Sequence, residues 1–524
     1  MMSLVAFCTP LLLSAFLLIL AFPPYSIQVL AWFGLVPLLL GLSRKGALSG
    51  FMMAYVCGIL YFAFVFEWMF AVAKYEFVHH VALFLFLSIY WGMFGLVYGF
   101  ISRRMGVVKA LAMSPFLWAG LEILRANMGF LSHAGAFLAH SQYTCIPLIQ
   151  VASLGGVYAV SFIIVGVNAG LAAIVMAALS RWRNSVAYFD YRISGAGLRT
   201  LTAAFFVMTL LAYGYGYWIM NRTEVNESLH VSVVQPNIEQ SKKWDQQYAE
   251  EIMNTFERLT TKAAEAEPSL IIWPEASTPK SITRDLGLLR RIKKLVELTG
   301  TDLLMGSSSH HKYGVTDIED LKYSNSAFLI PPGPVKGHLQ RYDKIHLLPF
   351  AEYLPLKGKV PWSLIRIPST DNYVPGKQYT VFEHPEFKFS AVICWEGIFP
   401  QLVRHFANQG AQVLVNITNE GWFGKGTGPD HFLTMTVFRA VENRRYVVRC
   451  ANTGISCIID HHGRVLERVK NENNEDVFVQ GVLNGSVVPR DEKTFYTRYG
   501  DVFAWCSLLL SGLMMLWARF KPSP

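Results

Sequence analysis

Phe387-Lys388-Phe389-Ser390-Ala391-Val392-Ile393-Cys394-Trp395-Glu396-Gly397 decides how this chain reads. Its apolar first part predicts a buried strand over Phe387–Cys394, and Gly397 with the helical run Pro400–Asn408 completes a strand-to-helix unit. The alternation extends outward both ways. Upstream, Leu229–Asn237 alternates and ends at a Pro-Asn turn, and 246–266 sets Ile252, Met253, Phe256, Leu259 and Ala263 on one helix face. Ser269–Trp273 is a buried strand running into Pro274-Glu275, Asp285–Thr299 reads as helix and Asp302–Gly306 as strand. Downstream, the strand Ala411–Thr418 ends in Asn419-Glu420-Gly421-Trp422 and a helix covers 431–445. Tyr446–Ala451 and Ile455–Asp460 form the arms of a hairpin. Strands alternating with helices imply an α/β domain.

That domain is one part of the molecule. Of 524 residues, 52% are hydrophobic and 16% charged, whereas a soluble chain carries about a quarter charged. Most of the deficit falls in roughly the first 220 residues. A bilayer-spanning helix needs about 20 mostly apolar residues. Eight stretches qualify: 6–22, 27–43, 48–72, 80–102, 107–125, 154–180, 199–220 and 502–519. The first has no Lys or Arg ahead of it and no small-residue cleavage site behind it, so a retained helix is expected. The predicted architecture is a transmembrane α-helical bundle of seven helices over 1–221 and an α/β domain over 222–500. An eighth transmembrane helix with a short tail occupies 501–524.

Eight spans return both termini to one side. Arg44, Lys45, Arg103, Arg104, Lys109, Arg181, Arg183, Arg192, Arg199, Arg519 and Lys521 all fall there, while 73–79 and 126–153 are poorer in basic residues and fall opposite. Basic loops mark the cytoplasm, so the 222–500 domain is expected outside it. Topology therefore accounts for much of the net charge of +9, and no nucleic-acid partner is expected.

Few ionisable residues lie within the spans, which argues against an ion-coupled transporter. Glu122 and Arg125, three residues apart, are expected to form a structural ion pair, and Glu67 sits in the aromatic stretch Phe64–Phe70. Seven irregularly spaced cysteines (Cys8, Cys57, Cys145, Cys394, Cys450, Cys457 and Cys506) give neither a disulfide framework nor zinc spacing. His310-His311 and His461-His462 read as solvated turns.

Three groups with complementary chemistry fall where elements end. Glu275 follows one strand, Cys394 ends another, and Lys344 lies in the loop-like Arg341-Tyr342-Asp343-Lys344. A cysteine attacks as thiolate, yet its ordinary pKa is about 8.5, so it needs a base or a cation beside it. Glu275 is suited to take the thiol proton, and Lys344 to steady the thiolate and the oxyanion, with the Trp395 backbone N–H as a second donor. Residue type alone leaves the bland alternatives open, a core cysteine and a surface glutamate.

The surrounding motifs narrow the choice. Trp273-Pro274-Glu275, Tyr342-Asp343-Lys344 and Ile393-Cys394-Trp395-Glu396 resemble, in that order, the Glu–Lys–Cys signature of the nitrilase superfamily, whose fold is an αββα sandwich. Gln235-Pro236-Asn237, Lys243-Trp244-Asp245, Pro349–Pro355 and Asn419–Gly424, with seven spans before and one after, extend the resemblance to the bacterial apolipoprotein N-acyltransferase family. The resemblance implies Glu275 as general base, Lys344 as oxyanion stabiliser and Cys394 as acyl-accepting nucleophile. It implies support from Glu352, Glu396, Trp244, Trp395, Trp422, Tyr353 and Asn419. No cofactor or metal is implied. The implied donor is a membrane phospholipid, and the acceptor a diacylglyceryl prolipoprotein after signal-peptide removal. The implied enzyme is a monomer of the bacterial inner membrane with its catalytic domain on the periplasmic side. Trp395 and Glu420 depart from the family's commoner Tyr and Asp.

A thioester intermediate has to be shielded from water. Within 346–380, Leu347, Leu348, Phe350, Leu354, Trp362, Leu364, Ile365 and Ile367 suggest a mobile apolar arm, with an ordinary packed insertion as the alternative. Gly421–Gly428 lacks phosphate-loop spacing and is expected to line the substrate site. The competing enzyme reading is a membrane-tethered amidase acting on a small C–N substrate. The competing non-enzyme reading is a transporter or receptor with an outer binding domain.

Overall fold

In the computed structural model the chain forms two units, one of Met1–Phe70, Glu76–Arg222 and Tyr499–Pro524, the other of Ala71–Tyr75 and Thr223–Arg498. The described residues are 2–43, 45–72, 75–182, 195–222, 227–310, 322–335, 337–360, 362 and 372–520.

The first unit is helical. Among the described residues, six helices are long and apolar enough to cross a membrane: Ala47–Val65, Phe77–Met105, Val107–Ala126, Val157–Leu179, Ala196–Met220 and Val502–Phe520. Helices Ala47–Val65 and Phe77–Met105 meet at Gly50 and Gly95, where a Cβ on Gly95 would stand 2.1 Å from the Gly50 carbonyl oxygen. Only small residues permit that approach.

The second expected span differs from prediction, whereas the first falls within the helix Met2–Leu20 but for its last two residues. The 27–43 stretch is broken into a short 3-10 helix, Gln28–Trp32, and an α-helix, Val36–Leu42. Pro37 sits in the first turn of the second piece and has no N–H to continue the ladder. The buried Asn168 stitches the break. Its Oδ1 accepts from Leu35 N at 2.8 Å and its Nδ2 donates to Ala31 O at 2.9 Å. Backbone groups freed inside a bilayer need such partners.

Glu122 and Arg125 are both buried but turn to a loop, not to each other. Glu122 Oε1 accepts from Trp118 Nε1 at 3.0 Å and Leu138 N at 2.9 Å, and Arg125 Nη2 donates to Gly135 O at 2.7 Å. Glu67 is exposed in the 3-10 turn Glu67–Ala71, past the helix end.

The second unit is a twin-sheet sandwich. Its first half contains β1 (Leu229–Gln235), β2 (Leu270–Ile272), β3 (Asp302–His310), β4 (Tyr323–Ile330) and β5 (Arg341–Asp343). The second half contains β6 (Val381–Glu383), β7 (Lys388–Ile393), β8 (Val413–Thr418), β9 (Tyr446–Ala451), β10 (Cys457–Ile459) and β11 (Val465–Arg468). β12 (Gly481–Val487) returns to pair with β1, so the sheet orders are β12-β1-β2-β3-β4-β5 and β11-β10-β9-β8-β7-β6. Each sheet has parallel pairs at its centre, β1-β2-β3 and β7-β8-β9, flanked by antiparallel strands.

Helices Ala249–Ala264 and Leu286–Thr299 contribute apolar faces to the core of the first sheet, where Phe256 stacks on the buried Trp273 at 4.3 Å. Asp285 caps the second helix by accepting from Leu288 N. Pro400–Asn408 and Gly428–Asn443 are the helices of the second half. The sheets touch face to face: the Cys450 thiol lies 3.5 Å from Val234 O and 3.4 Å from Ile272 O.

Two expectations need correction here. Arg341–Asp343 is a strand, so Lys344 leaves a sheet edge instead of sitting in a free loop. His461-His462 forms a turn, but His462 is buried, with Nδ1 2.9 Å from Arg444 Nη1. His311 and the arm residues Leu364, Ile365 and Ile367 lie outside the described residues. Trp362 is described, and its ring contacts Phe350 edge-on.

Candidate active site

Glu275, Lys344 and Cys394 each follow a strand, β2, β5 and β7 respectively. A sheet fixes its strand ends, so the side chains there are held while their loops vary. Cys394 has φ +52 and Ala276, just after Glu275, has φ +47. A residue with a Cβ adopts that left-handed conformation at a cost of roughly 1–2 kcal/mol. Asn416 of β8 holds the Cys394 turn by donating Nδ2 to Val392 O at 3.2 Å and Cys394 O at 3.5 Å. Cys394 keeps some exposure, as an attacking group must.

Its thiol is not acidic. Burial above all, and then the charge of Glu275, push it up to about 12, against the opposing pull of Lys344 and a hydrogen bond from Thr418. At neutral pH the resting group is SH, so attack requires a base.

The Glu275 carboxylate is held from two sides. Asn325 Nδ2 donates to its Oε1 at 2.7 Å, and Asn419 N donates to its Oε2 at 2.8 Å. The Asn419 side chain is itself fixed by Gln240 and Asn452.

Lys344 is 1% exposed. Its Nζ lies 2.9 Å from Glu352 Oε1 and 3.9 Å from Glu275 Oε1. Burial works against its charge, but the carboxylates of Glu352 and Glu275 outweigh burial and hold the ammonium above the usual lysine range. Leu348 N donates to Glu352 Oε2 at 2.7 Å, and Phe350 N to Tyr353 O at 2.8 Å, which closes the turn carrying Glu352. His346, close by, is no proton carrier near neutrality: burial, and then Lys344, push it down to about 4.

Glu396 faces inward. Its Oε1 accepts from Tyr342 OH at 2.6 Å, Ile345 N at 2.7 Å and His346 N at 3.0 Å, and its Oε2 accepts from Ile393 N at 2.8 Å. One carboxylate thus ties the Lys344 loop to the strand that delivers Cys394. The Trp395 ring packs edge-on against Phe399. Trp244 is 51% exposed, and Trp422 and Tyr353 are half-buried. Glu420 is held in a buried ion pair with Arg449, where the guanidinium bonds both carboxylate oxygens.

Asn325, Thr418, Asn416 and Lys243 belong to this constellation and are not among the residues predicted for it. Lys243 Nζ donates to Glu275 O at 2.9 Å. Asn325 lies in Tyr323-Ser324-Asn325-Ser326, whose polarity hides a strand, yet Ser324, Asn325 and Ser326 are all buried.

Residues 230–484, which hold these twin sheets, match the carbon-nitrogen hydrolase family. Residues 14–170 match the apolipoprotein N-acyltransferase N-terminal domain. The apolipoprotein N-acyltransferase of Geobacter metallireducens is 36% identical over 504 residues, covering 94% of this chain and 91% of its own. That of Chlorobaculum tepidum is 28% identical, covering 97% and 96%. Among solved structures, Saccharomyces cerevisiae Nit3 of the nitrilase superfamily matches with TM-score 0.37 at 18% identity, over 51% of this chain and 93% of that one. This chain belongs to the apolipoprotein N-acyltransferase family.

Proposed function

We propose that this chain moves an acyl chain from a membrane phospholipid to the N-terminal α-amine of a diacylglyceryl-cysteine lipoprotein, the last step of lipoprotein maturation. What supports this reading most directly is the presence, in one chain, of a carbon-nitrogen hydrolase domain and the apolipoprotein N-acyltransferase N-terminal domain.

Glu275 takes the Cys394 proton as sulfur attacks the phospholipid ester carbonyl. Lys344 and the Trp395 N–H stabilise the oxyanion. Collapse breaks the ester C–O bond, and Glu275 returns the proton to the departing lysophospholipid. The α-amine then attacks the thioester and gives its proton to Glu275. Sulfur leaves, is reprotonated, and an amide remains. Two substrates that use one nucleophile in turn give ping-pong kinetics. Both are lipid-anchored, so confinement to one leaflet raises their effective concentration.

Glu352 is assigned to anchoring Lys344, Glu396 to joining the two loops, and Asn419 to holding Glu275. Trp244, Trp422 and Tyr353 are assigned to the substrate side. The unit 223–498 is assigned to the periplasmic face and both termini to the cytoplasm. With or without the first two apolar segments the count of crossings is even, so every later loop keeps its side. The enzyme works as a monomer without a cofactor, within the bacterial inner membrane.

The test pairs acyl-labelled phospholipid with a diacylglyceryl-cysteinyl peptide. The wild-type chain transfers label to the peptide amine, and Cys394→Ser does not. A tethered amidase would leave the lipid untouched, and a transporter would keep its function in Cys394→Ser.

A further inference from the structure

A second lysine stands behind the catalytic base. Lys243 follows Ser241 and Lys242 in a tight turn, closed by Lys242 N to Glu239 O at 3.1 Å and Asp245 N to Lys242 O at 3.1 Å. Its neighbour Trp244 is 51% exposed and Lys242 reaches outward to Glu251, but Lys243 is 3% exposed. A lysine is almost never that buried without a carboxylate partner. The polar contact its Nζ makes is with a main-chain oxygen, Glu275 O at 2.9 Å.

That carbonyl is one of the few handles on the base that is not the carboxylate itself. The preceding carbonyl, of Pro274, accepts from Gly306 N at 3.3 Å, and the carboxylate is held by Asn325 and Asn419. Ala276, the residue after Glu275, has φ +47. Ser277 N donates to Gly306 O at 2.8 Å just beyond, and the Lys243 ammonium is the side-chain donor on the carbonyl of the peptide leading into that strained residue.

We propose that Lys243 is a positioning residue for Glu275, holding the carbonyl of the general base through a buried ammonium and thereby setting the alkaline limit of thioester formation. Burial pulls Lys243 down to about 8, partly offset by the charge of Glu275. The sign follows from that direction. Below about 8 the ammonium is present with its donors, and above it the lysine is neutral and its hold on the carbonyl weakens. Cys394, pushed up to about 12, titrates well clear of this range.

The inference rests on the proposed acyl transfer, and its test isolates the first half-reaction. Full-length enzyme in detergent is given acyl-labelled phospholipid without any amine acceptor, because an α-amine itself titrates near 8. Label on Cys394 is followed in a single turnover from pH 6 to 10. The wild-type rate falls above about pH 8. Lys243→Met slows acylation at pH 7 by about 100-fold, the scale of a misplaced catalytic group, and its rate no longer falls near pH 8. Lys243→Arg, which keeps a charged donor, recovers much of the rate and moves the fall to higher pH. A Lys243→Met enzyme that keeps the wild-type rate, or is slowed but still falls near pH 8, overturns the inference. A wild-type chain that takes no label on Cys394 overturns the underlying reading instead.

Discussion

Lys344 Nζ stands 2.9 Å from Glu352 Oε1, a full ångström closer than it stands to Glu275 Oε1. The Lys344 ammonium is thus neutralised mainly by Glu352. In the proposed mechanism this leaves Glu275 to move the proton. Asn325 spans the pair, donating to Glu275 at 2.7 Å and Glu352 at 3.3 Å, so the two acids are kept at fixed stations.

Glu352→Gln keeps the shape and can still accept from Leu348 N, but it leaves the buried Lys344 without its closest counter-charge. Thioester formation on Cys394 is expected to fall by about 100-fold, the scale of losing one oxyanion contact. Single-turnover transfer from labelled phospholipid measures it. A variant within twofold of wild type would show that Glu275 alone suffices to hold Lys344.

Glu275→Gln separates reactivity from catalysis. Removing the proton acceptor should cut acyl transfer by about 10³-fold. The Glu275 charge is also one reason the Cys394 thiol sits as high as about 12. Without it the thiol becomes more acidic, so the thiolate fraction at a given pH rises. Alkylation of Cys394 by iodoacetamide at pH 8 is therefore expected to quicken as transfer collapses. If both rates fell together, Glu275 would be holding the cysteine in place, not deprotonating it.

Glu396→Gln sets an amide where a carboxylate accepts four donors. With its oxygen kept toward Ile345 and His346, the amide NH₂ faces Ile393 N–H. A buried donor left without an acceptor costs about 1–3 kcal/mol. A fall in Tm of a few degrees is expected together with loss of transfer, because the loop of Lys344 and the strand of Cys394 share this tie. Differential scanning fluorimetry with an unchanged Tm would mean that the side chain turns elsewhere.

Glu420→Ala strands Arg449, a fully buried guanidinium that also donates to Ile455 O at 2.7 Å. Removing one partner of a buried pair typically costs about 3–5 kcal/mol. Glu420→Asp, the family's commoner residue, shortens the reach and should give an intermediate loss. Thermal unfolding of the two variants orders them: alanine lowest, aspartate between it and wild type.

The three groups proposed to react are legible in the sequence because their chemistry leaves a local mark. Cys394 closes an apolar strand and Glu275 follows Trp273-Pro274, so position and residue type can be read together. Lys344 was harder, since β5 is three residues long and shows no periodicity. Asn325 left no mark, and Lys243 stood in the Lys243-Trp244-Asp245 motif with no role attached to it. One sits in a polar run that looks like a loop, the other between two outward-facing neighbours, and only the fold brings both to Glu275. The 27–43 segment failed for another reason. Its composition reads as one span, but Pro37 interrupts the ladder and Asn168, far along the chain, repairs it. Hydropathy has no access to that repair.

The central claim is that Cys394 carries the acyl group between the two substrates. The most direct measurement is peptide mass spectrometry of the full-length chain after incubation with a defined phospholipid and no acceptor. The account predicts the mass of that lipid's acyl chain on the peptide containing Cys394, lost again on adding a diacylglyceryl-cysteinyl peptide. An unmodified Cys394 peptide while transfer to the acceptor proceeds, or acyl mass on another residue that turns over at the same rate, would contradict it.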